Sequence, residues 1–251
     1  MKCKVVSLNI TTGKYKNIIN DIISLAKSGK SSYVCVANVH MCIEAHWSPE
    51  FSEQVNASDI STPDGMPLAN AIRRLYGFKQ DRVAGMDLLP DVLKIAETES
   101  LGVYFYGGTE EMMFQTEKFI QKEYKKLTNV HFHSPPFRPL SIEEEVDVVD
   151  KINKSGSNIV FVVLGCPKQE KWMASMKGRI NACMIGIGGA LPVVIGSQRR
   201  APKWMRDLSL EWLFRFFQEP RRLFKRYLIT NPLFIWMLAK QRLTASIKNK
   251  S

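Results

Sequence analysis

Among its 251 residues the chain has no apolar run of about 18 or more, the length an α-helix needs to cross a hydrocarbon core. Cysteine is sparse. The five cysteines, Cys3, Cys35, Cys42, Cys166 and Cys183, are odd in number and share no paired spacing. That pattern excludes a disulfide framework or a zinc ribbon and fits a reducing cytosol. The histidines are four, and His131 and His133, which would share one face of a strand, have no acidic or cysteine partner at ligand spacing. The opening MKCKVVSLNITTGKYK has too short an apolar core, and no small-residue cleavage site, to be a secretory signal. What the last fifth lacks is acid. From Arg199 to Ser251, 13 Lys and Arg stand against Asp207, Glu211 and Glu219, a net +10 of the chain's +11.

What remains is the composition of a globular protein, 45% hydrophobic and 24% charged, with length enough for a sizeable core. Short β-rich runs (KVVSLNI, SYVCVANV, SDIST, GVYFYGG, NVHFHS, NIVFVVLG, ACMIGIGG) alternate with amphipathic helical patterns such as YKNIINDIISLAKSG, AIRRLYG, MDLLPDVLKIAETES and IEEEVDVVDKINKSG. This alternation predicts an α/β fold, a Rossmann-like and mostly parallel sheet flanked by helices, over residues 1–198. Residues 199–251 read as a second unit, a basic, aromatic, helical appendage broken by Pro202, Pro220 and Pro232 into short pieces. Arg215, Arg221, Arg222 and Arg226 lie among its aromatics. A basic amphipathic surface suits an anionic membrane, at roughly 1 kcal/mol per basic residue near the headgroups. Nucleic acid is the competing anion, but no recognition helix or nucleic-acid fold signature is present.

In open α/β sheets ligands bind at the carboxyl ends of strands. Several polar or glycine-rich features fall there: Asn38, Asp64, Gly107-Gly108, the GCPKQ stretch with Lys168 and Gln169, and Gly188-Gly189. The turn YFYGGTEE leads into a helix N-terminus with free N–H groups for an anion. GIGG lacks the third glycine and the ribose-binding acid of a dinucleotide fingerprint, which argues against a nicotinamide-dependent oxidoreductase. Asp64 sits in ISTPDGMPL, between two prolines and beside a glycine. By itself that is turn and helix-start chemistry.

The stretches ANVHM, TPDGMPL, RVAGMDLL, YFYGGTEE, SPPFRPL, LGCPKQEKWM, IGIGGA, RRAPKWM, LEWLFRFFQEPRRLFKRY and NPLF run in order from about residue 34 to 240. Together they resemble the WecG/TagA/CpsF glycosyltransferases of bacterial envelope polysaccharide synthesis. The resemblance implies an inverting transfer of a sugar from a UDP-sugar to a polyprenyl-diphosphate-linked saccharide, without a metal cofactor. It implies peripheral attachment to the cytoplasmic face of the bacterial inner membrane through the appendage. It assigns Asp64 as general base, and Asn38, Arg82 and Gln169 as donor-sugar or phosphate contacts. Arg215, Arg222 and Arg226 match its basic appendage positions, toward either the donor diphosphate or the lipid diphosphate. Lys168 fits a phosphate contact and a solvated surface equally well. Two positions depart from the family pattern: Val36 stands where a threonine is usual, and Pro192 where an aspartate is usual. A non-catalytic membrane- or nucleic-acid-binding protein on the same fold is the alternative those departures leave.

Overall fold

The computed structural model describes residues 1–208 and 210–248. An antiparallel hairpin, β1 (Lys2–Val5) and β2 (Leu8–Thr11), comes first, followed by α1 (Tyr15–Lys27). The central sheet comprises β3 (Ser32–Ala37), β4 (Ile60–Pro63), β5 (Val103–Gly107), β6 (Val130–His133), β7 (Ile159–Val163) and β8 (Cys183–Gly186). Their spatial order is β4-β3-β8-β7-β5-β6 and every pairing is parallel, with Val34 opposite Ile60 and Phe105 opposite Phe161. The parallel α/β architecture expected from the alternating pattern is therefore present.

Parallel sheets are covered on both faces, so their strands are apolar throughout. Every residue of β3, β5, β7 and β8 is buried accordingly. Alternate side chains enter two cores. Val34, Phe105, Phe161 and Ile185 face α1, α5 (Gly85–Glu99) and α6 (Glu110–Glu123). Tyr33, Cys35, Tyr104 and Val160 face the hairpin, α2 (Val39–Trp47), α3 (Pro49–Asn56), α4 (Met66–Tyr76), α7 (Ile142–Lys154) and α8 (Lys168–Met176). In α1 the stripe Ile18, Ile19, Ile22, Ile23 is buried, and each such side chain contributes roughly 1.5–3 kcal/mol.

Local chemistry sets the helix ends. Asn38, Ser48 and Thr109 accept the N–H of the residue three along, and Ser141 with Glu144 closes a full capping box. After β8, a turn of 3-10 helix (Gly188–Ala190) leads to α9 (Leu191–Val194), and then α10 (Lys203–Asp207), α11 (Glu211–Gln218) and α12 (Pro220–Lys248). Phe234 of α12 is buried in the second core.

Three local expectations need correction. KVVSLNI is two strands, because Val6 takes a left-handed conformation (φ 56°) and reverses the chain. The two helices between β3 and β4 have no counterpart in the periodicity reading, since the mean apolar character of α2 is spread around its circumference rather than along a stripe. Pro232 does not break the chain into short helical pieces: α12 runs through it for 29 residues. A proline inside a helix costs about 3 kcal/mol. Burial of Leu223 and Phe234 on either side offsets that cost.

Candidate active site

The carboxyl ends of β3 and β4 and the helices α11 and α12 enclose a cavity of about 710 Å³. Its sheet-side wall carries Asn38, His40, Asp64 and Arg82, and its opposite wall carries Arg215 and Arg226 among apolar side chains such as Phe216, Phe224 and Phe234. One half is thus polar and charged, the other apolar.

Asp64 follows directly on β4. Its N–H donates to the Ala37 carbonyl at 2.7 Å, extending the β3–β4 ladder by one bond. The next residue, Gly65, has φ 102°, a conformation that turns the chain at once into α4 and is costly for any residue with a Cβ. The carboxylate is therefore held at a fixed point of the cavity wall. Burial raises its pKa from the ordinary carboxylate range to about 6, the neighbouring Glu211 adds to the rise, and Arg215, Arg82 and the Asn38 amide oppose it. Asn38 is itself oriented, because its Oδ1 caps α2 by accepting the Met41 N–H at 3.1 Å. That leaves the amide nitrogen for Asp64.

Arg82 is placed by the loop before α5. Val83 N–H donates to the Pro63 carbonyl, and the Thr62 hydroxyl donates to the Val83 carbonyl at 3.1 Å. Gln80 ties the same loop to Gly13 from both sides. The guanidinium then makes two ion pairs, Nη1 to Glu211 Oε2 at 2.8 Å and Nη2 to Asp87 Oδ2 at 2.5 Å. Glu211 opens α11, so that helix is bonded to the sheet side of the cavity. Arg215, one turn further, donates to the Gly189 carbonyl at 3.3 Å.

His40, Asp87, Arg206 and Glu211 were not singled out from sequence. His40 lines the cavity with its pKa lowered to about 4, by burial and then by Arg226, so its ring is neutral near pH 7. No spacing signal marks these residues; only the folded chain brings them to Arg82 and Asp64.

Of the other candidates, Gly189 meets a cavity-lining side chain directly, through the carbonyl that Arg215 bonds. Gly107, Gly108, Lys168, Gln169, Gly188, Gly189 and Arg221 are not among the described residues lining the cavity. Lys168 and Arg221 are exposed. The Arg222 side chain lies outside the described structure. Gln169 is buried and braces two turns: its Oε1 accepts the Gly165 N–H at 3.2 Å, and its Nε2 donates to Glu170 Oε1 at 2.7 Å. A Cβ on Gly186 or Gly188 would stand 2.9 Å from that amide, which is why glycine occupies both positions. Val36 is buried among the apolar side chains facing α5, and Pro192 is buried in the first turn of α9. Among the described residues no three His, Cys, Asp or Glu side chains are grouped to hold a metal ion, and no helix is long and apolar enough to span a membrane.

A parallel sheet with a carboxylate and several guanidiniums in a cavity over its strand ends is a Rossmann-like α/β arrangement. The comparison with known proteins is narrower. The chain belongs to the glycosyl transferase WecG/TagA/CpsF family, whose model matches residues 3–248. It is 28% identical, over 217 residues, to the N-acetylglucosaminyldiphosphoundecaprenol N-acetyl-beta-D-mannosaminyltransferase of Staphylococcus aureus strain MW2. The match covers 86% of this chain and 83% of that relative. The enzyme of the same name from strain N315 is similar to the same extent. The chain is thus a glycosyltransferase by family.

Proposed function

We propose that this protein is an inverting glycosyltransferase. It moves a sugar from a UDP-sugar to a polyprenyl-diphosphate-linked saccharide at the cytoplasmic face of the bacterial inner membrane. The related enzymes make an N-acetylglucosaminyldiphosphoundecaprenol acceptor and an N-acetylmannosamine donor the first pair to test. The observation that carries the reading is the single cavity in which Asp64 faces Arg82, Arg215 and Arg226.

The chemistry follows from those groups. An acceptor hydroxyl attacks the anomeric carbon of the donor as the bond to the β-phosphate oxygen breaks on the opposite face. The bonding pair leaves with UDP. Asp64 takes the hydroxyl proton, and a carboxylate whose pKa has risen to about 6 is a better base near neutral pH than an ordinary one. Negative charge grows on the leaving diphosphate, and Arg82, Arg215 and Arg226 line the same cavity to meet it. The prolines on either side of Asp64 restrict its backbone, which suits a base that must stay at attack geometry. The apolar wall from α11 and α12 accommodates the less polar parts of a lipid-linked acceptor.

The proposed membrane attachment draws on exposed apolar and basic side chains of α10 to α12. Trp204, Phe217, Trp236 and Leu243 of the last three helices are exposed, as are Arg221 and Lys225. The test is turnover with a panel of UDP-sugars and an N-acetylglucosaminyl-diphosphate lipid, for wild type and Asp64→Asn side by side. Transfer by the wild type with near-complete loss in the mutant is expected. Equal rates in the two proteins would remove Asp64 from the base role. Absence of transfer with every donor, together with absence of UDP binding, would overturn the enzymatic reading.

A further inference from the structure

One carboxylate, Asp87, gathers three arginines. It stands in the first turn of α5, where negative charge is favoured by the helix dipole. Its two oxygens serve different partners. Oδ2 accepts from Arg82 Nη2, whereas Oδ1 accepts from Arg200 Nη2 and lies 4.0 Å from Arg206 Nη1. Arg82 belongs to the sheet side of the cavity, and Arg200 and Arg206 belong to the root of the appendage. Arg82 completes the link by pairing its other nitrogen with Glu211 of α11.

We propose that Asp87 is a positioning residue for the transfer reaction. It holds Arg82 in the orientation that meets the donor diphosphate, and it does so only while the appendage root is docked. The inference rests on the reading of Arg82 as a diphosphate contact. Charge counting supports it. Of the charged side chains lining the cavity, Arg82, Arg206, Arg215 and Arg226 stand against Asp64 and Glu211, a net +2. An incoming diphosphate is matched in sign by this set. Without Arg200 and Arg206, both Asp87 oxygens would be free to take the forked guanidinium of Arg82 in a bidentate pair, which turns it from the cavity. The two appendage arginines occupy Oδ1 and so confine Arg82 to one oxygen. Glu211 is the exchangeable partner: its Oε2 occupies the nitrogen that a phosphate oxygen would take, and its Oε1 is buried with no hydrogen-bond partner.

The experiment is UDP titration by calorimetry, with steady-state kinetics, on the full chain carrying Asp87→Asn, Arg82→Gln or both. Asp87→Asn keeps the shape and removes the charge, and a charged hydrogen bond of this kind corresponds to roughly a tenfold change in affinity or more. We expect UDP affinity to fall about tenfold and donor KM to rise by a similar factor, with kcat changed less. In the Arg82→Gln background Asp87→Asn should add nothing, because its effect passes through Arg82. Arg200→Gln should weaken UDP binding in the same direction, although Arg200 is not among the residues lining the cavity. Additive losses in the double mutant would show a structural role only and overturn the proposal. So would unchanged UDP affinity in Asp87→Asn while Arg82→Gln loses it. Unchanged affinity in Arg82→Gln itself would instead remove Arg82 from the diphosphate site, and the proposed function of that residue with it. If Asp87→Asn does not fold, Asp87→Glu replaces it. The longer carboxylate should give a smaller loss of affinity, again absent in the Arg82→Gln background, and an additive loss would again refute the role.

Discussion

The pH dependence of turnover follows from the surroundings of Asp64. As a base it must be ionised before the acceptor hydroxyl attacks. Its pKa is raised to about 6, first by burial and second by the charge on Glu211, so it is ionised at pH 7.5 and about nine-tenths protonated at pH 5. The ratio kcat/KM for the donor, which reports the free enzyme, should therefore fall about tenfold from pH 7 to pH 5 with unit slope. An ordinary aspartate would leave the profile flat over that range. The neighbours predict which way the limb moves. Glu211→Gln removes a cause of the rise, so its acid limb should shift to lower pH. Arg82→Gln and Arg215→Gln each remove a cation that favours the carboxylate, so their limbs should shift to higher pH. Asp64→Asn should lose roughly 10²–10⁴-fold in kcat and have no limb near pH 6. The assay is initial rate against pH at fixed ionic strength, with a short-chain lipid acceptor so that vesicle binding does not enter. A limb that stays at the same pH in all three neighbour variants would refute the assignment of that limb to Asp64.

The same shift has a consequence for folding. A carboxyl with pKa about 6 in the native state and about 4 when unfolded binds more protons in the native state between those values, so its contribution to stability falls as pH rises through that window. Asp64→Asn should accordingly raise the melting temperature at pH 7 and have little effect below pH 4, measured by calorimetric scans across pH. Phe234→Ala, which empties a buried site where α12 meets the second core, should cost about 3–5 kcal/mol in urea unfolding. Gly107→Ala puts a Cβ 2.7 Å from the Val163 backbone at φ 115°, and should destabilise by roughly 1–3 kcal/mol in the same assay. Phe217→Ser with Trp236→Ser, both exposed and outside the described cavity lining, should weaken sedimentation with anionic vesicles and leave turnover of a short-chain acceptor intact.

Much of the sheet was legible because a buried parallel strand has a local signature, a short run of apolar residues between turn residues. GVYFYGG and NIVFVVLG read as strands for that reason, and lie side by side as β5 and β7. The helices with one apolar stripe, α1 and α7, were equally legible. α2 was not, because burial on several sides erases the period, and α8 was not, because two of its four buried residues are the polar Gln169 and Glu170. Glycine turns at the strand ends drew attention as ligand loops. At Gly186 and Gly188 the glycine instead leaves room for the Gln169 amide, a close approach that no spacing in the chain announces.

The sequence by itself determined the alternation of strands and helices, the concentration of +10 in the last fifth, and the ordered blocks that mark the family. It also determined that Asp64 sits on a stiff turn at the end of a strand, since prolines and a glycine act on their nearest neighbours. Only the tertiary structure decided what Asp64 faces. Arg82 meets Glu211 across 129 positions of chain, and α12 passes through Pro232 because Phe234 beyond it has a core to enter. The reason is one of range. Backbone preferences and apolar periods act over a few residues and can be read in order along the chain. Ion pairs, burial and the pKa of a carboxylate depend on groups that come together only after the chain has folded back on itself.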